Sequence, residues 1–394
     1  MPLANGRHFL AIPGPSVMPD EVLRAMHRPS ANIYEGALVD MTFSMIPDLQ
    51  RIARTTNRAM IFIGNGHAGW EAVVTNTLDP GEKALVLESG RFAVGWGDIA
   101  AAHGVEIEVL HAPERRGVDP QMVEERLRAD PNHEIKAILV VQIDTASGVW
   151  NDIAAIRRAI DAAGHPALFM VDCMASLGCV PYEMDEWGAD ITLAGSQKGL
   201  MTPPGLAFVW ASEKAWAKTG TLTRGRGHLA WEPRAEPERF YQLFHGTAPV
   251  QHLYALRQAL DMLLAEGLEA VWARHAALAN GVRAAVKHWG EAGPLELNIL
   301  DENARANSVT TIRSGALDAS ALRRITEQNL GVTLGIGLGE LEGSTFRIGH
   351  MGHVNAPMIL GTLGSIELAL AHMGAPYAPG GVEAAIAAMK DGVA

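Results

Sequence analysis

Ala167-Leu168-Phe169-Met170-Val171-Asp172 and, further on, Ile191-Thr192-Leu193-Ala194-Gly195-Ser196-Gln197-Lys198 share one construction: an apolar run that ends near a group able to carry charge. Runs that are apolar on successive residues, not on alternate ones, are strands covered on both faces, the habit of parallel sheets flanked by helices. A carboxylate at the end of such a run has few structural reasons to be there, because burying its charge costs several kcal/mol unless it is paired. A lysine just past a neighbouring strand sits at the carboxyl edge of the sheet, where open α/β folds bind ligands.

The same rhythm runs from about residue 55 to 215. Strands are expected at 59–64, 83–89, 105–111, 135–145, 167–174, 191–194 and 206–210. Helices are expected at 121–128, after Asp119-Pro120, and at 153–163, after Asn151-Asp152, since both follow capping and proline signals. The fold class is therefore α/β, a mostly parallel, doubly wound sheet with helices on both faces. Residues 220–238, rich in Gly, Arg, Trp and Pro, read as a connecting loop. Two long helical patterns follow at 250–266 and 268–289, separated by Gly267, a residue that suits a helix end. Strands at 308–313, 332–334 and 345–348 with helices at 319–328 and 356–372 describe a smaller α+β domain. The expected division is an N-terminal arm over 1–15, a large domain over 16–255 and a small C-terminal domain over 256–394.

Composition narrows the function. The 394 residues carry a formal net charge of −12, with 48% hydrophobic and 19% charged residues, so a large core can form. Basic residues scattered among acidic ones offer no field for phosphate backbones or anionic lipid, which argues against nucleic acid and membrane partners. The two cysteines, Cys173 and Cys179, cannot build a disulfide framework or a cysteine zinc site. With neither a secretory signal nor an apolar stretch of roughly 18 residues, a complete cytoplasmic protein is expected.

Gly64-Asn65-Gly66-His67-Ala68-Gly69 follows a strand and opens a helix, so its backbone N–H groups and the helix dipole can hold an anion such as phosphate. It spells G-x-G-x-x-G, and Glu88 ends the next strand where a dinucleotide fold places its ribose-binding acid; spacing alone permits an NAD-dependent oxidoreductase. It also permits a tight turn with no ligand in a chain with 41 glycines. Lys198 alone would be a solvated surface residue. Together, a phosphate cradle, a strand-end aspartate and a strand-end lysine are the inventory of a pyridoxal phosphate site.

At this point the chain resembles the class V aminotransferases of the fold-type-I pyridoxal phosphate superfamily, in particular the serine/alanine–glyoxylate aminotransferase group. The likeness covers nearly the whole chain. It is carried by Pro13-Gly14-Pro15, the segment from Gly64 to Glu71, Ser147-Gly148-Val149, Val171-Asp172 with Ala175-Ser176-Leu177-Gly178, Gly195-Ser196-Gln197-Lys198, Pro203-Pro204-Gly205 and Arg347-Ile348-Gly349. The resemblance implies pyridoxal 5'-phosphate as cofactor, condensed with Lys198, which is also the proton-transfer base. It implies that Asp172 pairs with the pyridinium nitrogen, Phe92 stacks on the ring, Met174 packs on the other face and Thr145 bonds near the ring oxygen. Asn65, Gly66, His67 and Gln197 would hold the phosphate, with Thr247 reaching in from the neighbouring subunit of a homodimer. Arg347 would clamp the substrate carboxylate beside the backbone at Gly14, with Tyr34 near the substrate. The implied reaction is ping-pong transfer of an amino group from serine, alanine or aspartate to glyoxylate or pyruvate.

Departures bear on the substrate. Asn32-Ile33-Tyr34-Glu35 replaces an Asp-His-Arg-Ser-like segment of bacterial relatives, Gln142-Ile143-Asp144 replaces a His-x-Glu, and Phe244 stands where some relatives have a tyrosine hydroxyl. Residues 144–148 and 347–352 also resemble pyridoxamine–pyruvate aminotransferase, which acts on free pyridoxamine and would leave the phosphate cradle without a use. A cysteine desulfurase is rejected because neither cysteine falls on a mobile loop. His350 and His353 read as structural histidines, since no third metal ligand is arranged nearby. Met170, Met174 and Met201 read mostly as core filling.

Overall fold

The computed structural model describes residues 3–393. Seven strands form the large sheet, in spatial order Arg58–Gly64, Gly205–Ala211, Ile191–Gly195, Leu168–Asp172, Ile135–Val141, Lys83–Glu88 and Glu106–His111. All run parallel except Gly205–Ala211, which is antiparallel to both neighbours. Every residue of Leu168–Asp172 and Ile191–Gly195 is buried, as a sheet covered on two faces requires. Two apolar clusters fill the two faces, one including Ile138, Phe169 and Trp210, the other Leu139, Met170 and Trp96.

Helix starts follow their capping chemistry. The Asp152 carboxylate accepts the Ala155 N–H at the start of Ile153–Ala163, which ends on Gly164 in the left-handed region. Asp119 caps Pro120–Arg128, with proline in the first turn. The expected strand at 135–145 divides: Ile135–Val141 stays in the sheet, and Ile143–Asp144 pairs instead with Val149–Trp150 as a two-stranded ribbon. Within 220–238 lie a 3₁₀ turn, Gly227–Leu229, and a short helix, Glu232–Ala235, which packs on the edge strand Arg58–Gly64.

The smaller sheet has five strands, ordered Phe9–Ala11, Val332–Ile336, Thr345–Gly349, Val309–Arg313 and Glu296–Leu297. Arm residues Phe9–Ala11 thus join the C-terminal sheet, parallel to Val332–Ile336. The helix Val250–Glu266 belongs to the large-sheet core through Leu253, Leu256, Leu260 and Leu263, so position 255/256 falls inside one helix. The helix Leu268–Gly290 spans both cores, contributing Val271 to the first and Leu278 to Trp289 to the small-domain cluster. Among the described residues no helix is long and apolar enough to cross a membrane.

Candidate active site

The parallel strands bring their carboxyl ends to one edge of the large sheet, and a cavity of about 200 Å³ opens there. It is lined by Asn65, Gly66 and His67 from the glycine turn, Phe92, Thr145, Asp172, Met174, Gln197 and Lys198, together with Trp70, Val141, Ile143 and Ala175. The turn is built as its sequence requires. Asn65 caps the helix Gly66–Thr77, its side-chain oxygen accepting the His67 N–H at 3.1 Å, so the helix N-terminus faces the cavity. A side chain at Gly66 or Gly195 would strike Met174, which packs against both.

Asp172 is buried at the floor. One carboxylate oxygen accepts the Met174 N–H at 2.6 Å and the other the Trp70 indole N–H at 2.6 Å. Burial pushes its pKa up to about 6; those two bonds and the Lys198 charge oppose the shift, and nearby Asp144 adds to it. The Lys198 amine donates to the Pro13 carbonyl at 2.5 Å, and the Ser16 hydroxyl donates to the Lys198 carbonyl at 2.7 Å, so the N-terminal arm lies over the lysine. Gly14, at φ +104°, leaves room for that lysine: a Cβ there would come within 2.4 Å of Nζ. Burial, and then the Arg347 charge, lower the lysine to about 8.

Arg347 enters from the small sheet, 6% exposed, its Nε donating to Ile336 O at 2.5 Å and one terminal nitrogen to Thr145 O at 2.7 Å. No protein partner among the described residues takes its other terminal nitrogen. Burial lowers its pKa to about 10, against the pull of Asp144, so it stays charged at neutral pH. Asp144, fully buried, accepts the N–H groups of Phe92 at 2.7 Å, Ala146 at 2.8 Å and Ser147 at 3.2 Å. It therefore caps, from outside, the helix Arg91–Ala102, whose own N-cap is Gly90. Its pKa rises through burial, those three bonds opposing.

A family model for class-V aminotransferases matches residues 9–340. The chain belongs to the class-V aminotransferase family. The serine–glyoxylate aminotransferase of Arabidopsis thaliana is 38% identical over 386 residues, covering 96% of this chain and 94% of that protein. The L-aspartate–glyoxylate aminotransferase of Paracoccus denitrificans is 38% identical over 379 residues, covering 95% and 94%. The crystal structure of pyridoxamine–pyruvate aminotransferase from Mesorhizobium loti matches with a TM-score of 0.89 at 30% identity, covering 98% of this chain and 97% of that one.

Class-V aminotransferases of this fold use pyridoxal phosphate, and the residues present fit it. The cavity holds a helix N-terminus at one end, a buried carboxylate at its floor and an amine of lowered pKa beside them. The buried side-chain oxygen of Gln197, at the cavity wall, has no partner within the protein. The dinucleotide reading finds no support: Glu88 pairs with His111 at 3.1 Å, outside the cavity lining, and the antiparallel strand Gly205–Ala211 departs from the all-parallel dinucleotide sheet.

Two expected residues stand apart in this class-V aminotransferase. Tyr34 is 80% exposed, and Thr247 is also exposed; neither lines the cavity. Gln142 turns away from the site, donating to Pro181 O at 3.1 Å. His350 is buried with both ring nitrogens engaged, by Asn307 O and by the Thr310 hydroxyl, which leaves none for a metal. Sequence reasoning missed Trp70 and the capping role of Asp144. The signal for Asp144 was a carboxylate near the end of a mostly apolar run.

Proposed function

We propose that this aminotransferase moves the amino group of a small amino acid, serine, alanine or aspartate, to glyoxylate or pyruvate, the two substrates reacting in turn by a ping-pong mechanism. One observation carries the proposal: Lys198, Asp172 and the anion-binding turn line one cavity, beside a buried guanidinium with an unengaged nitrogen. The relatives named for serine–glyoxylate and L-aspartate–glyoxylate transfer, both at 38% identity, support glyoxylate as acceptor.

When bound, pyridoxal phosphate supplies an aldehyde that takes the amino group and a ring that accepts the electron pair left on the α-carbon. Asn65, Gly66, His67 and Gln197 would hold its phosphate. Phe92 and Met174 would cover its two faces, Thr145 would reach its ring oxygen, and Asp172 would pair with its ring nitrogen. Arg347 orients the substrate by its α-carboxylate, and its two backbone anchors hold the guanidinium plane fixed before substrate arrives. Lys198 Nζ moves the α-proton. A pKa near 8 gives a substantial neutral fraction at mildly alkaline pH while the ammonium form remains accessible, as a group that both takes and returns a proton requires. The backbone at Gly14, which packs on the Lys198 side chain, would close the other side of the carboxylate pocket.

We further propose a homodimer, in which Thr247 and Tyr34, exposed and away from their own cavity, serve the partner's site. The cytoplasm is the proposed compartment. The large domain with its arm would carry the cofactor, and the small domain would present Arg347.

Initial rates over a matrix of serine, alanine and aspartate against glyoxylate and pyruvate test the reading. Parallel double-reciprocal lines for one donor with glyoxylate are expected; lines that intersect would overturn ping-pong transfer. The likeness to a pyridoxamine–pyruvate enzyme supplies a second reading, in which free pyridoxamine is the donor. Turnover of pyridoxamine with pyruvate, and none with the amino acids, would favour it.

A further inference from the structure

Trp70 lies on the first turns of the helix whose N-terminus forms the anion cup, and it is 3% exposed. Its ring contacts three neighbours: His67 of the cup at 4.7 Å between centroids, Phe92 at 6.4 Å, and Trp96, stacked at 6.3 Å and 11°. Its single polar atom donates to Asp172 at 2.6 Å, a contact between side chains 102 positions apart and away from water. Trp96 offers the contrast: it is equally buried, yet its indole nitrogen has no partner. Packing alone therefore does not account for the aim of the Trp70 N–H.

We propose that Trp70 is a positioning residue for the cofactor, its indole N–H holding the Asp172 carboxylate ionised and in place, so that one helix sets both the anion cup and the carboxylate floor. The proposal rests on the cofactor reading above, but its first test needs no cofactor. A carboxylate has two oxygens to satisfy. With one on the Met174 N–H and the other on Trp70, it is fixed against rotation while its outer lone pairs stay available to the cavity. Both bonds favour the charged form against burial. The other charged or titratable groups facing Asp172 are Lys198, which also favours ionisation, and Asp144, which opposes it; the Cys173 thiol beside it is neutral, its pKa raised by burial.

The test is an infrared pH titration of the apoprotein, the protonated-carboxyl band being assigned by its loss in Asp172→Asn. Wild type is expected to titrate near pH 6. In Trp70→Phe, which keeps a ring and loses the donor, the midpoint should rise by about one to two pH units, the worth of one hydrogen bond to a charged group. In Trp96→Phe, which disturbs the same aromatic stack without touching Asp172, it should stay at the wild-type value. An unmoved midpoint in Trp70→Phe, or an equal rise in both variants, would overturn the proposal. Should Trp70→Phe fail to fold, the wild-type apoprotein still decides. One ¹⁵N-labelled indole N–H resonance must follow the Asp172 titration and lose that response in Asp172→Asn; an unresponsive Trp70 indole would refute the role. Loss of cofactor affinity in Asp172→Asn tests the parent reading separately.

Discussion

Gly90→Ala isolates what Asp144 does. A Cβ at position 90 would lie 2.4 Å from the Asp144 carboxyl carbon and 2.6 Å from each carboxylate oxygen. Gly90 is extended, at φ 165°, so alanine meets no backbone penalty there and the collision is the whole cost. Asp144 cannot yield freely, because withdrawing it breaks the bond to the Phe92 N–H, worth about 1.5–3 kcal/mol for a charged acceptor. Overpacking adds about 1–3 kcal/mol, so Gly90→Ala should destabilise by roughly 3–5 kcal/mol. Asp144→Ala leaves three amides without an acceptor and should cost a similar amount, about 3–5 kcal/mol. In the double variant the alanine at 90 occupies space the carboxylate has left, and the substitution there should add less than about 1 kcal/mol. Urea unfolding of the four proteins measures the cycle, with an expected coupling of about 2–4 kcal/mol. Because the cap sets the start of the helix that carries Phe92, cofactor affinity should fall in each single variant. Additive stabilities, within about 0.5 kcal/mol, would refute the trans-capping role.

Three further outcomes are expected. Arg347→Ala should raise the amino-acid KM roughly 10- to 150-fold, as loss of a charge-assisted contact of about 1.5–3 kcal/mol requires, and an unchanged KM would move the carboxylate site elsewhere. The rate at which apoprotein takes up pyridoxal phosphate should rise with pH as Lys198 loses its proton and level off above about 8; a rise continuing to the ordinary lysine value of 10.5 would mean that the amine is not buried. His275 and His350 are buried and neutral, lowered by burial to about 4 and about 3 from an ordinary 6.5. The unfolded chain therefore binds more protons below pH 6.5, so stability is full above that value and falls as pH drops toward 4. At pH 5 each histidine should cost about 2 kcal/mol, and His275→Gln should flatten part of the decline in Tm; an unaltered slope would contradict its buried neutral state.

The parts legible from sequence are those in which a residue type conflicts with its surroundings. Asp172 ends an apolar run and Lys198 follows shortly after another, and the strands Leu168–Asp172 and Ile191–Gly195 lie where those runs place them. The turn at Gly64 was legible because glycine, an asparagine cap and a following helix form one local signal. Asp144 was obscured because the run 135–145 reads as one strand. The break at Gln142 depends on the ribbon with Val149–Trp150 and on the amide contributed by Phe92, which lies far away in sequence. Trp70 falls among apolar helix positions, and only the folded sheet brings Asp172 within reach of its N–H. Arg347 was readable as a charge in an apolar strand, whereas its anchors at Thr145 and Ile336 belong to tertiary packing. In the proposed homodimer the sites of Tyr34 and Thr247 would depend on a second copy of the chain, which no pattern within one chain can encode.

The most direct measurement is borohydride reduction of the loaded enzyme followed by peptide mass mapping, since reduction fixes the cofactor on the side chain that holds it. Label on Lys198, absent in Lys198→Ala together with visible absorbance and all but a trace of turnover, is the expected result. Label on another lysine, or wild-type turnover in Lys198→Ala, would contradict the assignment of this cavity as the catalytic centre.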